Sequence, residues 1–360
     1  MEASLARLRD RILAANEQRE PLRLRGAGSK DFFGERLSGE VLDTREYAGI
    51  VDYEPSELVL TARCGTPLSQ IESALAERGQ FLAFEPPAFG ADPTIGGVIA
   101  AGLSGPRRAT AGAVRDFVLG AQLLDARGEL LNFGGRVMKN VAGFDMSRLL
   151  CGSLGMLGLI AQASIKVLPK PRAETTRCFE LSAAEAIDRF NFWGGQPLPL
   201  SATSWHAGRA HVRLSGAASA VAAAAQSLGG DALDDASAAS WWNGLRQQSH
   251  AFFAEAQLPL WRLSLPSTSA LQRSDGARLF ADVGLIEWGG GLRWMRSTAS
   301  ADHIRRDAVQ LGGTAMLWRG QGAASMFHPL DAASFGLHRR LKQQFDPRGI
   351  FNPGRLHVEL

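Results

Sequence analysis

The run Arg25-Gly26-Ala27-Gly28-Ser29-Lys30 sets two glycines one residue apart at the end of Pro21-Leu22-Arg23-Leu24, which reads as a short strand. Glycine lets the main chain approach a ligand with no Cβ in the way, so several backbone N–H groups can converge there on an anion. The third glycine of a GxGxxG nucleotide loop is missing. Asp31 stands in its place and Phe32-Phe33-Gly34 opens no recognisable helix, which disfavours an NAD-type Rossmann fold. A glycine-rich tight turn is the other reading of the same residues.

Two more segments exclude bulk. Residues 92–105 combine the hydroxyls of Thr94 and Ser104 with Gly96, Gly97, Ala101 and Gly105. They read either as a closely packed buried helix or as a main-chain track along a long ligand. Gly152-Ser153-Leu154-Gly155-Met156-Leu157-Gly158 repeats glycine every three residues ahead of a strand that includes Ile160, a pattern loop punctuation explains nearly as well. Glycine is in excess, 40 of 360 residues, and fourteen of the 40 fall between Gly90 and Gly158. That clustering points to a nucleotide-like cofactor.

The elements that must position these loops follow from periodicity. Leu5, Leu8 and Ile12 give residues 3–19 one apolar helical face. Strands are expected at 49–53 and 57–63, then a helix with Thr66 as N-cap and Pro67 at its first position. Residues 118–124 and 129–133 flank the turn Asp125-Ala126-Arg127-Gly128 as a hairpin; 144–151 reads as helix and 157–168 as strand. Pro169-Lys170-Pro171 breaks the pattern, so a first domain is placed at 1–172, a second at 173–330 and a C-terminal segment at 331–360. The second reads as α+β, with strands at 178–181, 201–205, 211–214 and 261–265 and helices at 183–192 and 217–228. Six of the eight tryptophans lie between Trp205 and Trp294, a shift in composition that sets it apart.

A chain of 360 residues with 45% hydrophobic and 21% charged residues has the makings of two ordinary cores, and it holds no apolar run long enough to span a bilayer. The net charge of +3 is too small for a nucleic-acid footprint. Cys64, Cys151 and Cys178 have no chelating spacing, so neither an iron–sulfur ligand set nor a disulfide framework is expected, and a cytoplasmic setting is.

The three glycine segments, in this order and at these separations, resemble the FAD-binding family shared by vanillyl-alcohol oxidase and p-cresol methylhydroxylase. Within it the likeness is to the FAD-binding E subunits of bacterial glycolate oxidase, and it covers nearly the whole chain. Residues 25–29 match the family's pyrophosphate loop. Residues 94–97 with Ser104 and Gly105 match its second FAD segment, and Gly112-Ala113-Val114-Arg115-Asp116 matches the loop near the flavin. Lys139-Asn140-Val141-Ala142-Gly143-Phe144-Asp145 is similar to the KNxxGYD stretch of these subunits, with Phe144 for Tyr. Asp346-Pro347-Arg348-Gly349-Ile350-Phe351-Asn352-Pro353-Gly354 is similar to the C-terminal DPxGIFNPG signature.

The resemblance implies an α+β fold: a two-part FAD-binding domain of the p-cresol methylhydroxylase type followed by a smaller α+β domain. It implies an FAD-dependent oxidoreductase acting on 2-hydroxy acids. FAD would be held by Arg25, Gly26, Ala27, Gly28, Ser29, Lys30, Thr94, Gly96, Gly97, Ala101, Ser104, Gly105, Gly112 and Ile160. Where flavin-linking members carry a histidine, Ala27, Ser29 and Lys30 stand here, so the flavin is expected to be non-covalent. The histidine motif HGHxGDGN of related 2-hydroxy-acid dehydrogenases does not occur. Glycolate oxidation is therefore expected in a complex with a homologous larger flavin subunit and an iron–sulfur subunit, through which the chain would also reach a membrane. A self-sufficient 2-hydroxy-acid dehydrogenase is the alternative.

No catalytic residue stands out. Lys139, Arg107, Arg108, Arg293 and Arg319 are each able to clamp a carboxylate, and solvated salt bridges are the commoner use of such residues. No functional metal is expected: His206 and His211 would face opposite sides of a continuous strand, although a turn at Gly208 would bring them together. For the glycine–aromatic stretch 285–294, a subunit contact is the one role suggested.

Overall fold

The computed structural model describes residues 2–90, 92–135, 146–254, 257–270, 283–320 and 324–360. The chain divides into two compact units. The first comprises Met1–Ser104, Gly112–Lys170 and Pro329–Leu360, and the second Gly105–Ala111 with Pro171–His328.

In the first unit the helix Ala3–Gln18 buries Leu5, Leu8, Ile12 and Ala15, the i, i+3, i+4 stripe that packs against Leu22, Leu124, Leu159 and Phe351. Strand β1 (Leu22–Arg25) follows and pairs in parallel with β2 (Glu40–Asp43). Next come β3 (Ile50–Glu54), β4 (Val59–Arg63), β5 (Gln80–Phe81), β6 (Val118–Leu124), β7 (Leu130–Gly134), β8 (Leu159–Lys166) and β9 (Leu168–Pro169). Five of them form an antiparallel sheet in the order β3-β4-β8-β6-β7, and β5 pairs with β9. The expected hairpin is β6–β7. Of the helix expected at 144–151, Met146–Leu149 is helical among the described residues.

The helix after β4 starts at Leu68 with Pro67 as its N-cap, so Thr66 does not cap it. Its hydroxyl instead accepts from Gly49 N at 2.9 Å and donates to Arg63 O at 2.7 Å, holding the two chain segments together.

The C-terminal residues are not a separate segment: they belong to the first unit, clasped by a buried ion pair. Lys342, on the helix Ala332–Phe345, donates to Asp346 Oδ2 at 2.7 Å, Met156 O at 2.9 Å and Phe351 O at 2.6 Å. Asp346 also accepts from Ile350 N and Phe351 N at 2.9 and 2.7 Å. This clasp makes the turn of the DPRGIFNPG motif and sets Phe351 beside Leu22 of β1 in a parallel bridge.

The described strands of the second unit form one eight-stranded antiparallel sheet. Its strands are β10 (Ala173–Glu180), β11 (Leu200–His206), β12 (Arg209–Gly216), β13 (Asp231–Leu233), β14 (Leu260–Ser264), β15 (Val283–Glu287), β16 (Leu292–Arg296) and β17 (Thr314–Arg319), in the order β13-β10-β12-β11-β15-β16-β14-β17. The helix Ala183–Gly194 starts in a capping box: Glu185 N donates to Ser182 Oγ at 3.3 Å and Ser182 N to Glu185 Oε2 at 2.8 Å. Its Phe190 and Trp193 pack with Val221 of the helix Ala218–Leu228 on Val212 and Leu214. The stretch 285–294 is the β15–β16 hairpin of this sheet, with Leu285, Ile286, Leu292 and Trp294 buried, so it is core and not a subunit contact.

Candidate functional site

Strand β1 delivers the loop 26–30. Its end is fixed by Asn352, whose Oδ1 accepts from Leu24 N at 2.7 Å while its Nδ2 donates to Leu154 O at 2.6 Å. Asp31 then takes both arginines of β1, pairing with Arg23 and with Arg25 Nε at 2.9 Å. The residue that breaks the GxGxxG pattern is thus the counter-ion that pins the loop to its strand. Arg355 completes the frame, donating to the carbonyls of Lys30, Asp31 and Phe33.

Held this way, the loop presents its main chain. Among the described residues no acceptor takes a hydrogen bond from the backbone N–H groups of Gly26, Ala27, Gly28, Ser29 or Lys30. Gly28 has φ +75°, and a Cβ on it would lie 2.2 Å from Arg25 Nη2; a Cβ on Gly26 would lie 2.2 Å from Thr94 Oγ1. Glycine at 28 is called for by its left-handed backbone, and glycine at 26 lets the loop close on Thr94. That residue N-caps the helix Ile95–Ala101, accepting from Gly97 N at 3.3 Å. The segment is therefore a buried helix, as its small residues allow, and it also lines a cavity.

Two cavities open here, with about 100 and 60 Å³ of space for water. The first is lined by Arg25, Gly26, Ala27, Gly28, Ser29, Lys30, Thr94, Gly97 and Ala101 among others. The second shares Arg25, Gly26 and Gly97 and adds Gly96, Gly158, Ile160 and Cys64. Such volumes suit anchoring points along an extended ligand. Of the expected residues, Ser104, Gly105 and Gly112 line neither cavity. Ser104 Oγ accepts from Val114 N at 3.1 Å, Gly112 precedes the turn in which Ala113 N donates to Asp116 Oδ2, and the Gly105 carbonyl accepts from Trp288 Nε1 at 3.1 Å in the second unit.

The first cavity is cationic. Arg23, Arg25, Lys30, Arg36 and Arg355 line it against the single carboxylate Asp31. Burial pushes the Lys30 ammonium down to about 8, with Ser29 Oγ at 3.3 Å and the Phe89 ring centroid at 5.6 Å as its neighbours. Free N–H groups beside a desolvated ammonium are what a diphosphate requires, so these residues fit FAD. In the second cavity burial pushes the Cys64 thiol up to about 12, which leaves it an unreactive wall.

Asn352, Arg355 and Arg36 also line the site, although none belongs to a glycine segment. The C-terminal signature contains the signal for Asn352, but only the fold brings it beside β1. The arginines weighed as carboxylate clamps have structural partners: Arg107 pairs with Glu174 at 2.8 Å, Arg293 donates to Gly290 O, Arg319 to Gln248 Oε1, and Arg108 lies over the Trp288 ring. Lys139 and the whole stretch 139–145 lie outside the described residues. Gly208 does turn the chain, so His206 and His211 sit on adjacent strands. His206 Nδ1 contacts Gly284 O at 2.6 Å, and His211 stacks on Trp241 at 3.8 Å with burial pushing it down to about 4. Among the described residues no three metal-ligating side chains gather.

Residues 3–134 match the FAD binding domain family. The chain is 45% identical over 356 residues to the glycolate oxidase subunit GlcE of Escherichia coli (strain K12), covering 98% of this chain and 97% of that one. It is 32% identical over 169 residues to the glycolate oxidase subunit GlcD of Bacillus subtilis (strain 168), 46% of this chain and 36% of that one. Among solved structures it is similar to alkyldihydroxyacetonephosphate synthase, with a TM-score of 0.68 at 14% identity over 97% of this chain and 75% of the other, a likeness of fold. The expected architecture, an FAD-binding domain with further α+β structure, holds.

Proposed function

The chain belongs to the family of the glycolate oxidase subunit GlcE, and from that premise we propose that it is the FAD-carrying subunit of a complex that oxidises glycolate to glyoxylate. Bound FAD supplies the acceptor for the two electrons released when an alcohol carbon becomes a carbonyl. The chain's own residues hold that group. The free N–H groups of Gly26, Ala27, Gly28, Ser29 and Lys30 take the diphosphate, with the Lys30 ammonium beside them. Thr94, Gly96, Gly97 and Ala101 border its path, and Ile160 meets the adenine through its backbone. Ser104, Gly105 and Gly112 are assigned to the flavin end. The observation that carries this reading is the row of unpaired N–H groups over the first cavity.

No histidine stands in the loop to form a covalent flavin bond, so acid precipitation should release all of the yellow chromophore; flavin remaining on the denatured chain would refute non-covalent binding. The absence of HGHxGDGN supports placing oxidation mainly on a homologous larger flavin subunit, with an iron–sulfur subunit carrying electrons onward. Among the described residues no helix is long and apolar enough to cross a membrane, in keeping with attachment through the complex. Co-expression with both partners should restore dye-linked glycolate oxidation, and deleting this chain should abolish it. If the lone chain turned glycolate over above about 1 per second, it would be a self-sufficient dehydrogenase and not a dependent subunit.

A further inference from the structure

Several buried arginines of the second unit spend donors on protein acceptors, although Arg293 Nη1 is left without one among the described residues. Arg213 Nε donates to Ser201 Oγ at 3.1 Å, Arg293 Nε to Gly290 O at 3.0 Å and Arg305 Nη2 to Phe327 O at 2.9 Å. Arg262, half-buried on β14 between β16 and β17, differs in spending none of its donors on the protein. Among the described residues no acceptor takes a hydrogen bond from it. Its guanidinium carbon instead lies 5.2, 5.9 and 6.0 Å from the ring centroids of Trp288, Trp294 and Trp318.

These indoles are fixed walls. Each spends its one N–H elsewhere: Trp288 on Gly105 O at 3.1 Å, Trp294 on Glu287 Oε1 at 2.9 Å and Trp318 on Gln248 Oε1 at 2.8 Å. The rings are thereby held in orientation, and the Arg262 guanidinium keeps its donors beside them.

From this arrangement we propose that the second unit binds a small monocarboxylate on the guanidinium of Arg262, between the indoles of Trp288, Trp294 and Trp318. A guanidinium offers two parallel N–H groups that match the two oxygens of a carboxylate. Among the described residues the charges acting on Arg262 are one cation, Arg108, and one anion, the buried Glu287, a balance that suits a singly charged guest better than a doubly charged one. A phosphate dianion would meet the Glu287 carboxylate without a second uncompensated cation. Burial lowers the Arg262 guanidinium to about 10, so it remains charged at neutral pH, and an arriving carboxylate would relieve that desolvation. Arg108 belongs to the segment Gly105–Ala111, which the chain inserts between Ser104 and Gly112, two residues assigned above to the flavin. Identifying the monocarboxylate with the oxidised 2-hydroxy acid rests on the proposed function; the binding site does not.

The three walls are tryptophans, so binding is readable without turnover. The full flavin-loaded chain is titrated with acetate, glycolate and inorganic phosphate at about pH 8.5, where phosphate is the dianion and Arg262 is still charged, at constant ionic strength while tryptophan fluorescence is followed. Acetate and glycolate should give a saturable change and phosphate none. Arg262→Gln should weaken carboxylate binding by about tenfold to a hundredfold, with Arg262→Lys between the two, while flavin absorbance per folded chain stays at the wild-type level. No saturable response in the wild-type chain, an equal response to phosphate, or an unchanged response in Arg262→Gln would each overturn the site. Should Arg262→Gln not fold, the wild-type contrast between acetate and phosphate decides. A chain that purifies without flavin would refute the cofactor assignment while leaving the fluorescence titration readable, so the two failures are separable.

Discussion

On the readings proposed above, the two units offer hydrogen-bond donors to a guest with different parts of the chain. In the first unit the donors are main-chain N–H groups of residues 26–30, and side chains do the framing: Asp31 ties the loop to β1 and Asn352 fixes the strand's end. In the second unit the main chain is spent on an eight-stranded sheet, and the donors left over are on side chains such as Arg262, framed by indoles. Main-chain sites demand glycine and hence leave a mark in the sequence. Side-chain sites on strands leave residues that look like any alternating pattern.

The largest expected effect is at Gly28. Its φ is +75°, a backbone conformation a β-branched residue does not adopt without strain, and a Cβ there would also displace the Arg25 guanidinium, so Gly28→Val should distort the loop. The purified chain should lose nearly all of its flavin. Gly97→Val is the cleaner companion, since a Cβ there meets only Thr94 Oγ1, at an ordinary 3.4 Å, so lost flavin would reflect exclusion from the cavity. Full occupancy in both variants would show that the loop is not the diphosphate site.

Next in size is the clasp that makes the C-terminus part of the first unit. Both members of the Lys342–Asp346 pair are buried, and Asp346→Ala leaves an ammonium facing only carbonyls. Removing one partner of a buried pair typically costs about 3–5 kcal/mol. Urea denaturation should reveal a loss of that order, together with weaker flavin retention because Asn352 is no longer held at β1. A change below about 1 kcal/mol would mean that the motif is not a clasp.

The comparison also predicts a change that should leave flavin alone. Leu214 is fully buried under the helix Ala218–Leu228 in the second unit, and Leu214→Ala should cost about 2–5 kcal/mol. Flavin per folded chain should remain at the wild-type level. Equal loss of flavin would show that the cofactor depends on the second unit's core as much as on the first unit's loop.

The fold was legible where one residue's surroundings are local. The stripe Leu5, Leu8, Ile12 gave the first helix, the turn 125–128 gave the β6–β7 hairpin, and the three glycine segments gave the cavity walls. Thr66 misled because its hydroxyl is bound by Gly49, a partner no local rule would supply. The DPRGIFNPG motif was visible as a motif, yet its work depends on Lys342, Met156 and Leu22, which only the folded chain assembles. Arg262 escaped for the same reason: Trp288 and Trp294 come from the β15–β16 hairpin and Trp318 from β17. Nor did spacing reveal that Asp31, which argues against a Rossmann loop, is what holds this one in shape.

The smallest expected effect tests whether the first unit relies on main chain alone. Lys30 is the cavity's one ammonium, and burial lowers it from an ordinary 10.5 to about 8 in the ligand-free protein. Between those values the unfolded chain binds more protons than the folded one, so ligand-free stability should rise with pH across that window. A bound diphosphate favours the charged form and raises the lysine again. Above pH 8, FAD binding must therefore take up a proton, and affinity should fall with rising pH by at most about tenfold per pH unit. Titrating deflavinated protein with FAD between pH 7 and about 9.5 measures this slope, and Lys30→Met should flatten it while weakening binding at pH 7. A wild-type affinity that stays level across the range would mean that Lys30 does not face the diphosphate and that the backbone N–H groups bind it unaided.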